Sequence, residues 1–131
     1  MRVMVDTNIL VSALLFPQGR MHSLLCHVTA KHSLVLSSYV VDELLQVTRR
    51  KFKDKVAVVD ELLSQLPYEL VYTPQNVPQG LFEIRDVKDY PVLYSAIADD
   101  VDVFITGDKD SEEIDLGRPE ILTAAMFLDR Y

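Results

Sequence analysis

Val3-Met4-Val5-Asp6-Thr7-Asn8 is a short apolar run that stops abruptly at an acid. Its three consecutive apolar residues read as a strand covered on both faces, and from Thr7 to about Leu15 the apolar spacing becomes helical. The same grammar recurs in Leu34-Val35-Leu36, Leu70-Val71-Tyr72 and Val103-Phe104-Ile105, each ending at a polar residue. Glu120-Ile121-Leu122-Thr123, introduced by Pro119, is a fifth candidate strand. Helical periodicity fills the intervals: one helix over Met21 to Ala30, one capped by Ser38 and running to about Lys51, and one from Asp54 to about Leu66. Another should start at Tyr90-Pro91, since proline suits a first helical turn. Strands alternating with helices predict an α/β fold with a mainly parallel central sheet. Residues 72–91 contain Pro74, Pro78 and Gly80 and read as a long loop, with Leu81-Phe82-Glu83-Ile84 as a short element inside it.

The 131 residues suit one domain over 1–131 with a core of its own. Cys26 is the only cysteine, which excludes an internal disulfide and a zinc site of the paired-cysteine type; on its helix it reads as a small buried hydrophobe. No apolar run approaches the ~20 residues of a membrane helix. Asp6 comes too early for a signal peptide. A soluble, cytoplasmic protein is expected. The net charge of −7 argues against a general nucleic-acid coat, yet suits a site whose acids cations neutralise. Arg49, Arg50, Lys51, Lys53 and Lys55 crowd one stretch that reads either as a phosphate contact or as a solvated helix end.

The acids fall at informative places. Asp6 ends the first strand, and Asp108 follows Val103-Phe104-Ile105-Thr106-Gly107. In a parallel sheet the carboxyl ends of strands share one edge, and ligands bind there where strand order reverses. Locally, Asp6 reads equally well as a helix cap and Asp108 as a turn residue. At 100° per residue, Val40, Val41, Leu44, Leu45 and Val47 make one apolar face; Glu43 borders it while Asp42 points to water. Glu43 could reach over the sheet edge or remain an ordinary surface acid. Asp86 and Asp89 precede the Tyr90-Pro91 helix, where a carboxylate is either a ligand or a cap. Asp110 shares the turn of Asp108, and Thr7, Asn8 and Thr106 are polar neighbours able to orient acids or water. Two like charges 4 Å apart repel by roughly 4 kcal/mol at an effective dielectric near 20, so several acids at one edge call for a cation. Oxygen-only ligands favour Mg²⁺ or Mn²⁺, ions that promote phosphodiester hydrolysis.

Four segments together resemble the PIN-domain family: Val5-Asp6-Thr7-Asn8, Ser38-Tyr39-Val40-Val41-Asp42-Glu43-Leu44, Arg85-Asp86-Val87-Lys88-Asp89-Tyr90-Pro91-Val92-Leu93 and Val103-Phe104-Ile105-Thr106-Gly107-Asp108-Lys109-Asp110. They span nearly the whole chain, in order, and are most similar to the small prokaryotic branch described as toxins of toxin–antitoxin pairs. The resemblance implies a three-layer sandwich, helices flanking the sheet, and a metal-dependent endoribonuclease. It carries the metal ligands and catalytic acids to Asp6, Glu43, Asp89 and Asp108, with Asp86 competing for the third place. Asn8, Thr106 and Asp110 become supporting residues, and Arg49, Arg50 and Lys51 the candidates for guiding RNA. It further implies homodimerisation and silencing by a small antitoxin protein. Two rivals stand beside this reading. One is a PIN-like module that binds RNA or protein without cutting. The other is a phosphoaspartate phosphatase, which usually wants a second acid where Asn8 stands. His22, His27 and His32 read as surface or packing residues, and Tyr68, Tyr72, Tyr94 and Phe82 as core.

Overall fold

The computed structural model describes residues 1–74, 90–107 and 118–131. Strand β1 (Arg2–Val5) leads through helices α1 (Thr7–Leu15) and α2 (Arg20–Lys31) into β2 (Ser33–Ser37). Helix α3 (Ser38–Lys51), a single 3-10 turn (Lys53–Lys55) and α4 (Val56–Gln65) precede β3 (Glu69–Val71). Helix α5 (Tyr90–Ala98), β4 (Val103–Ile105), β5 (Glu120–Leu122) and α6 (Ala124–Arg130) follow. The strands form one sheet in the order β3-β2-β1-β4-β5, every neighbouring pair parallel. This is the α/β sandwich that the sequence predicts.

The core follows from the apolar runs. Val3, Met4 and Val5 are each wholly buried, as are Val35, Leu36 and Ile105 in flanking strands. Successive strand residues point to opposite faces, so burial without alternation means that both faces of the centre are covered. The covering helices present matching stripes: Leu10, Ala13 and Leu14 on α1, Leu24, Leu25 and Val28 on α2, and Val40, Leu44 and Thr48 on α3. Among the described residues no single helix is long and apolar enough to cross a membrane.

Several local expectations change. Ser37, not Ser38, caps α3: its hydroxyl accepts from Val40 N at 3.2 Å, leaving the Ser38 hydroxyl to accept from Thr73 N at 2.9 Å. The helix expected from Asp54 begins at Val56 after the 3-10 turn. Strand β3 stops at Val71 and lies at the sheet's edge, so Leu70 is 40% and Tyr72 78% exposed. Tyr72 is therefore not a core residue, whereas Tyr68 does pack against the core. Cys26 is exposed because it sits on the outer side of α2, away from Leu24, Leu25 and Val28. Leu81-Phe82-Glu83-Ile84 lies outside the described residues. Helix α6, for which the sequence reading had no element, is capped by Thr123, which accepts from Met126 N at 3.2 Å.

The amino-terminal edge of the sheet is tied by ion pairs. The Arg2 guanidinium donates to Glu69 on β3 at 3.1 Å and the Arg2 backbone N–H to Asp102 at 2.8 Å. Arg118 meets the same Asp102 at 2.7 Å. Three histidines have packing roles, as expected. His22 bonds to the Ala13 carbonyl at 3.1 Å and His27 to the Tyr131 carbonyl at 3.2 Å. The His32 ring lies 5.5 Å from Phe127 and 6.3 Å from Tyr131 between centroids, and its two nitrogens are buried without a hydrogen-bond partner among the described residues. Desolvation first, and then the nearby amino terminus, His27 and Lys31, lower its pKa below the ordinary 6.5. The unfolded chain therefore takes up this proton before the folded one does. Stability contributed by neutral His32 is complete above the unfolded value and lost as pH falls through the lower, folded value. The unfolding midpoint should drop as pH falls below the ordinary histidine value, and His32→Leu should flatten that slope. An equally steep slope in the variant would remove His32 as its source.

Candidate functional site

The order β3-β2-β1-β4-β5 means that the chain leaves β1 in one direction and later returns to its other side, which makes the gap between β1 and β4 a switch point. Asp6 is the first residue beyond β1 on that edge. Its backbone extends the ladder, with N–H donating to the Ile105 carbonyl at 3.1 Å. The side chain is 5% exposed and fully engaged in local architecture. Oδ1 accepts from Ile9 N at 2.9 Å, capping α1; Oδ2 accepts from the Thr106 hydroxyl at 2.7 Å and from Gly107 N at 3.2 Å. Asp6 thus caps α1, and the same carboxylate stands at the carboxyl edge of the sheet beside β4.

Glu43 reaches this edge from α3. Its Oε1 accepts from the Thr7 hydroxyl at 2.7 Å, which brings it to the residue next to Asp6 although 36 positions separate Thr7 from Glu43. Helical geometry explains the reach. Val40, Leu44 and Thr48 form the buried stripe, Glu43 is half-buried at its margin and Asp42 is exposed. Thr48 completes that stripe because its hydroxyl is satisfied by the Leu44 carbonyl at 2.7 Å.

Asp6, Glu43 and Thr106 therefore lie at the predicted edge. Thr106 is 2% exposed and donates its hydroxyl proton to Asp6, so it positions that carboxylate. Gly107 was not anticipated; it contributes its N–H, and among the described residues a Cβ there would meet nothing within 4 Å. Asn8 is exposed in the first turn of α1. Asp86, Asp89, Asp108 and Asp110 lie outside the described residues. Among those described, no three His, Cys, Asp or Glu side chains come together as a metal-binding group.

The basic stretch is divided by the helix. A surface depression of about 360 Å³ is lined by Tyr39, Asp42, Glu43, Gln46, Val47 and Arg50. Arg50 thus shares the groove of Glu43, while Arg49 and Lys51 are exposed on α3 away from it.

A parallel sheet carrying a buried and a half-buried acid at its switch point defines an α/β protein with an acidic edge at the strands' carboxyl ends. A family model of the PIN domain matches residues 2–110, and the chain belongs to the PIN-domain family. Among solved structures it is similar to VapBC2 from Rickettsia felis, bound there to a promoter DNA fragment, at 21% identity and a TM-score of 0.69, with 93% of this chain and 97% of that one covered. It is also similar to VapC20 of Mycobacterium tuberculosis, a toxin that cleaves the sarcin-ricin loop, at 16% identity and a TM-score of 0.55, covering 82% and 91%. Both are likenesses of fold. No match was found among proteins of curated function.

Proposed function

We propose that this chain is a divalent-metal-dependent endoribonuclease, one domain over residues 1–131, and the toxin of a toxin–antitoxin pair. The carrying observation is the 2.7 Å bond from Thr7 to Glu43, which joins a second acid to the residue beside Asp6 at the switch point. PIN-family membership supports the reaction class. The fold likeness to VapBC2 and VapC20 supports the toxin assignment, with an antitoxin protein as partner. A homodimer in the cytoplasm completes the reading.

The donor chemistry fits a hard cation. Both acids offer only oxygen, and Glu43 Oε2 has no hydrogen-bond partner among the described residues. Asp6, Glu43, Asp89 and Asp108 would hold the ion, with Asp86 as the alternative third ligand and Asp110 in support. Asp108 follows directly on Gly107, whose N–H bonds to Asp6. Mg²⁺ or Mn²⁺, held by these carboxylates, would supply Lewis-acid activation of water and charge compensation for the leaving oxygen. The chain's own residues set the geometry. Thr106 and Gly107 fix Asp6 from the segment after β4, Thr7 fixes Glu43 from α1, and Asn8 stands exposed in the first turn to meet the phosphate. Water's oxygen bonds to phosphorus as the P–O bond to the leaving sugar oxygen breaks, and that oxygen takes up a proton.

Wild-type protein should cleave an unstructured oligoribonucleotide with Mg²⁺ or Mn²⁺ and stop when EDTA is added. Calorimetric titration with Mn²⁺ should show binding. Absence of both cleavage and metal binding would leave a PIN-like module that holds RNA or protein without cutting it.

A further inference from the structure

We infer that Arg50 is a second phosphate subsite, which makes α3 the track for an RNA strand running from the scissile phosphate toward the amino edge of the sheet. This rests on the nuclease reading for the identity of the strand. The first observation is alignment. Tyr39, Glu43, Gln46 and Arg50 recur at spacings of four, three and four residues, one stripe of a helix, and all line the same depression. The second is availability. Arg2, Arg118 and Arg130 are committed to Glu69, Asp100 with Asp102, and Glu120, whereas Arg50 forms no ion pair or hydrogen bond among the described residues. An exposed guanidinium keeps its planar fork ready for two phosphate oxygens.

The spacing suits a strand. Seven residues of helix rise separate Glu43 from Arg50, about 10 Å. A nucleic-acid strand covers that in about three nucleotides at a stacked rise of about 3.4 Å, and in fewer when extended. The groove is thus acidic at the end where Asp42 and Glu43 sit and cationic at the other. A phosphodiester backbone satisfies both ends: a cation screens one phosphate and Arg50 meets another. Gln46, exposed between them, offers an amide to sugar or base. Arg49 and Lys51 lie off the groove; the partial negative charge at the end of α3 favours all three basic residues of its last turn alike, and only Arg50 among them lines the depression.

The test compares wild type, Arg50→Gln and Arg49→Gln on a labelled, unstructured 12-nucleotide RNA and on a dinucleotide. Binding is read by anisotropy in Ca²⁺ and cleavage in Mn²⁺. Arg50→Gln should weaken 12-mer binding about five- to tenfold and reduce the slope of log K against log salt by about 0.7, the value for one single-strand phosphate. Cleavage of the 12-mer should lose in KM rather than kcat, the dinucleotide should be unaffected, and Arg49→Gln should match wild type. Wild-type behaviour of Arg50→Gln on the 12-mer would overturn the subsite, as would equal losses on both substrates. A groove occupied by a partner protein instead would give the first of these results. If wild type does not cleave but binds the 12-mer in an Arg50-dependent way, the nuclease reading falls and the subsite stands.

Discussion

Asp6→Asn is expected to leave a folded protein whose metal-dependent RNA cleavage is reduced by about 10²–10³-fold or more. The substitution removes one negative charge from the acidic edge and almost nothing else. An asparagine oxygen can still accept from Ile9 N and keep α1 capped, as Oδ1 does at 2.9 Å. The amide nitrogen then faces the Thr106 hydroxyl, which can turn to accept, and Gly107 N, which cannot. One mismatched donor pair should cost about 1–3 kcal/mol of stability, visible in a denaturation midpoint but short of unfolding. Alanine is the poorer test. It deletes the cap and both bonds to the segment after β4 together, so a loss of stability would accompany any loss of activity. Calorimetry should show Mn²⁺ affinity falling in parallel with cleavage. Full activity in Asp6→Asn would remove this carboxylate from the mechanism and with it the proposed metal centre.

Phe127→Ala is expected to be the costliest packing change, at about 3–5 kcal/mol out of the roughly 5–15 that hold a domain together. Phe127 is wholly buried. Its ring stands edge-on to His32 at 5.5 Å and to His27 at 6.1 Å, and 5.4 Å from Tyr131. Removing it would expose the flank of His32, whose nitrogens have no hydrogen-bond partner among the described residues. Helix α6 packs against α2 and β5, away from the Thr7–Glu43 contact, so cleavage per folded molecule should be preserved. Urea titration read by circular dichroism measures the first effect, and cleavage scaled to folded fraction the second. A loss under about 1 kcal/mol would mean that α6 is not anchored through this ring.

Strand identity, helix order and the place of Asp6 were legible in the sequence because each depends on a few neighbouring residues. Val3-Met4-Val5 and Val103-Phe104-Ile105 cannot be amphipathic, so they had to lie inside a covered sheet, and the acid or turn that follows each had to mark the carboxyl edge. Glu43 at the margin of its helix was likewise a matter of 100° steps. Properties set by what stands opposite were not legible. Leu70-Val71-Tyr72 has the composition of a buried strand, but among the described residues β3 has a neighbour on one side only, and Leu70 and Tyr72 are exposed. Cys26 is exposed because α2 turns its other side to the sheet, a rotation that one apolar residue does not reveal. The partnership of Thr7 with Glu43, the commitment of Thr106 and Gly107 to Asp6, and the separation of Arg50 from Arg49 and Lys51 are contacts made across the fold. Local pattern decides which face of an element is apolar; only packing decides which polar groups then meet.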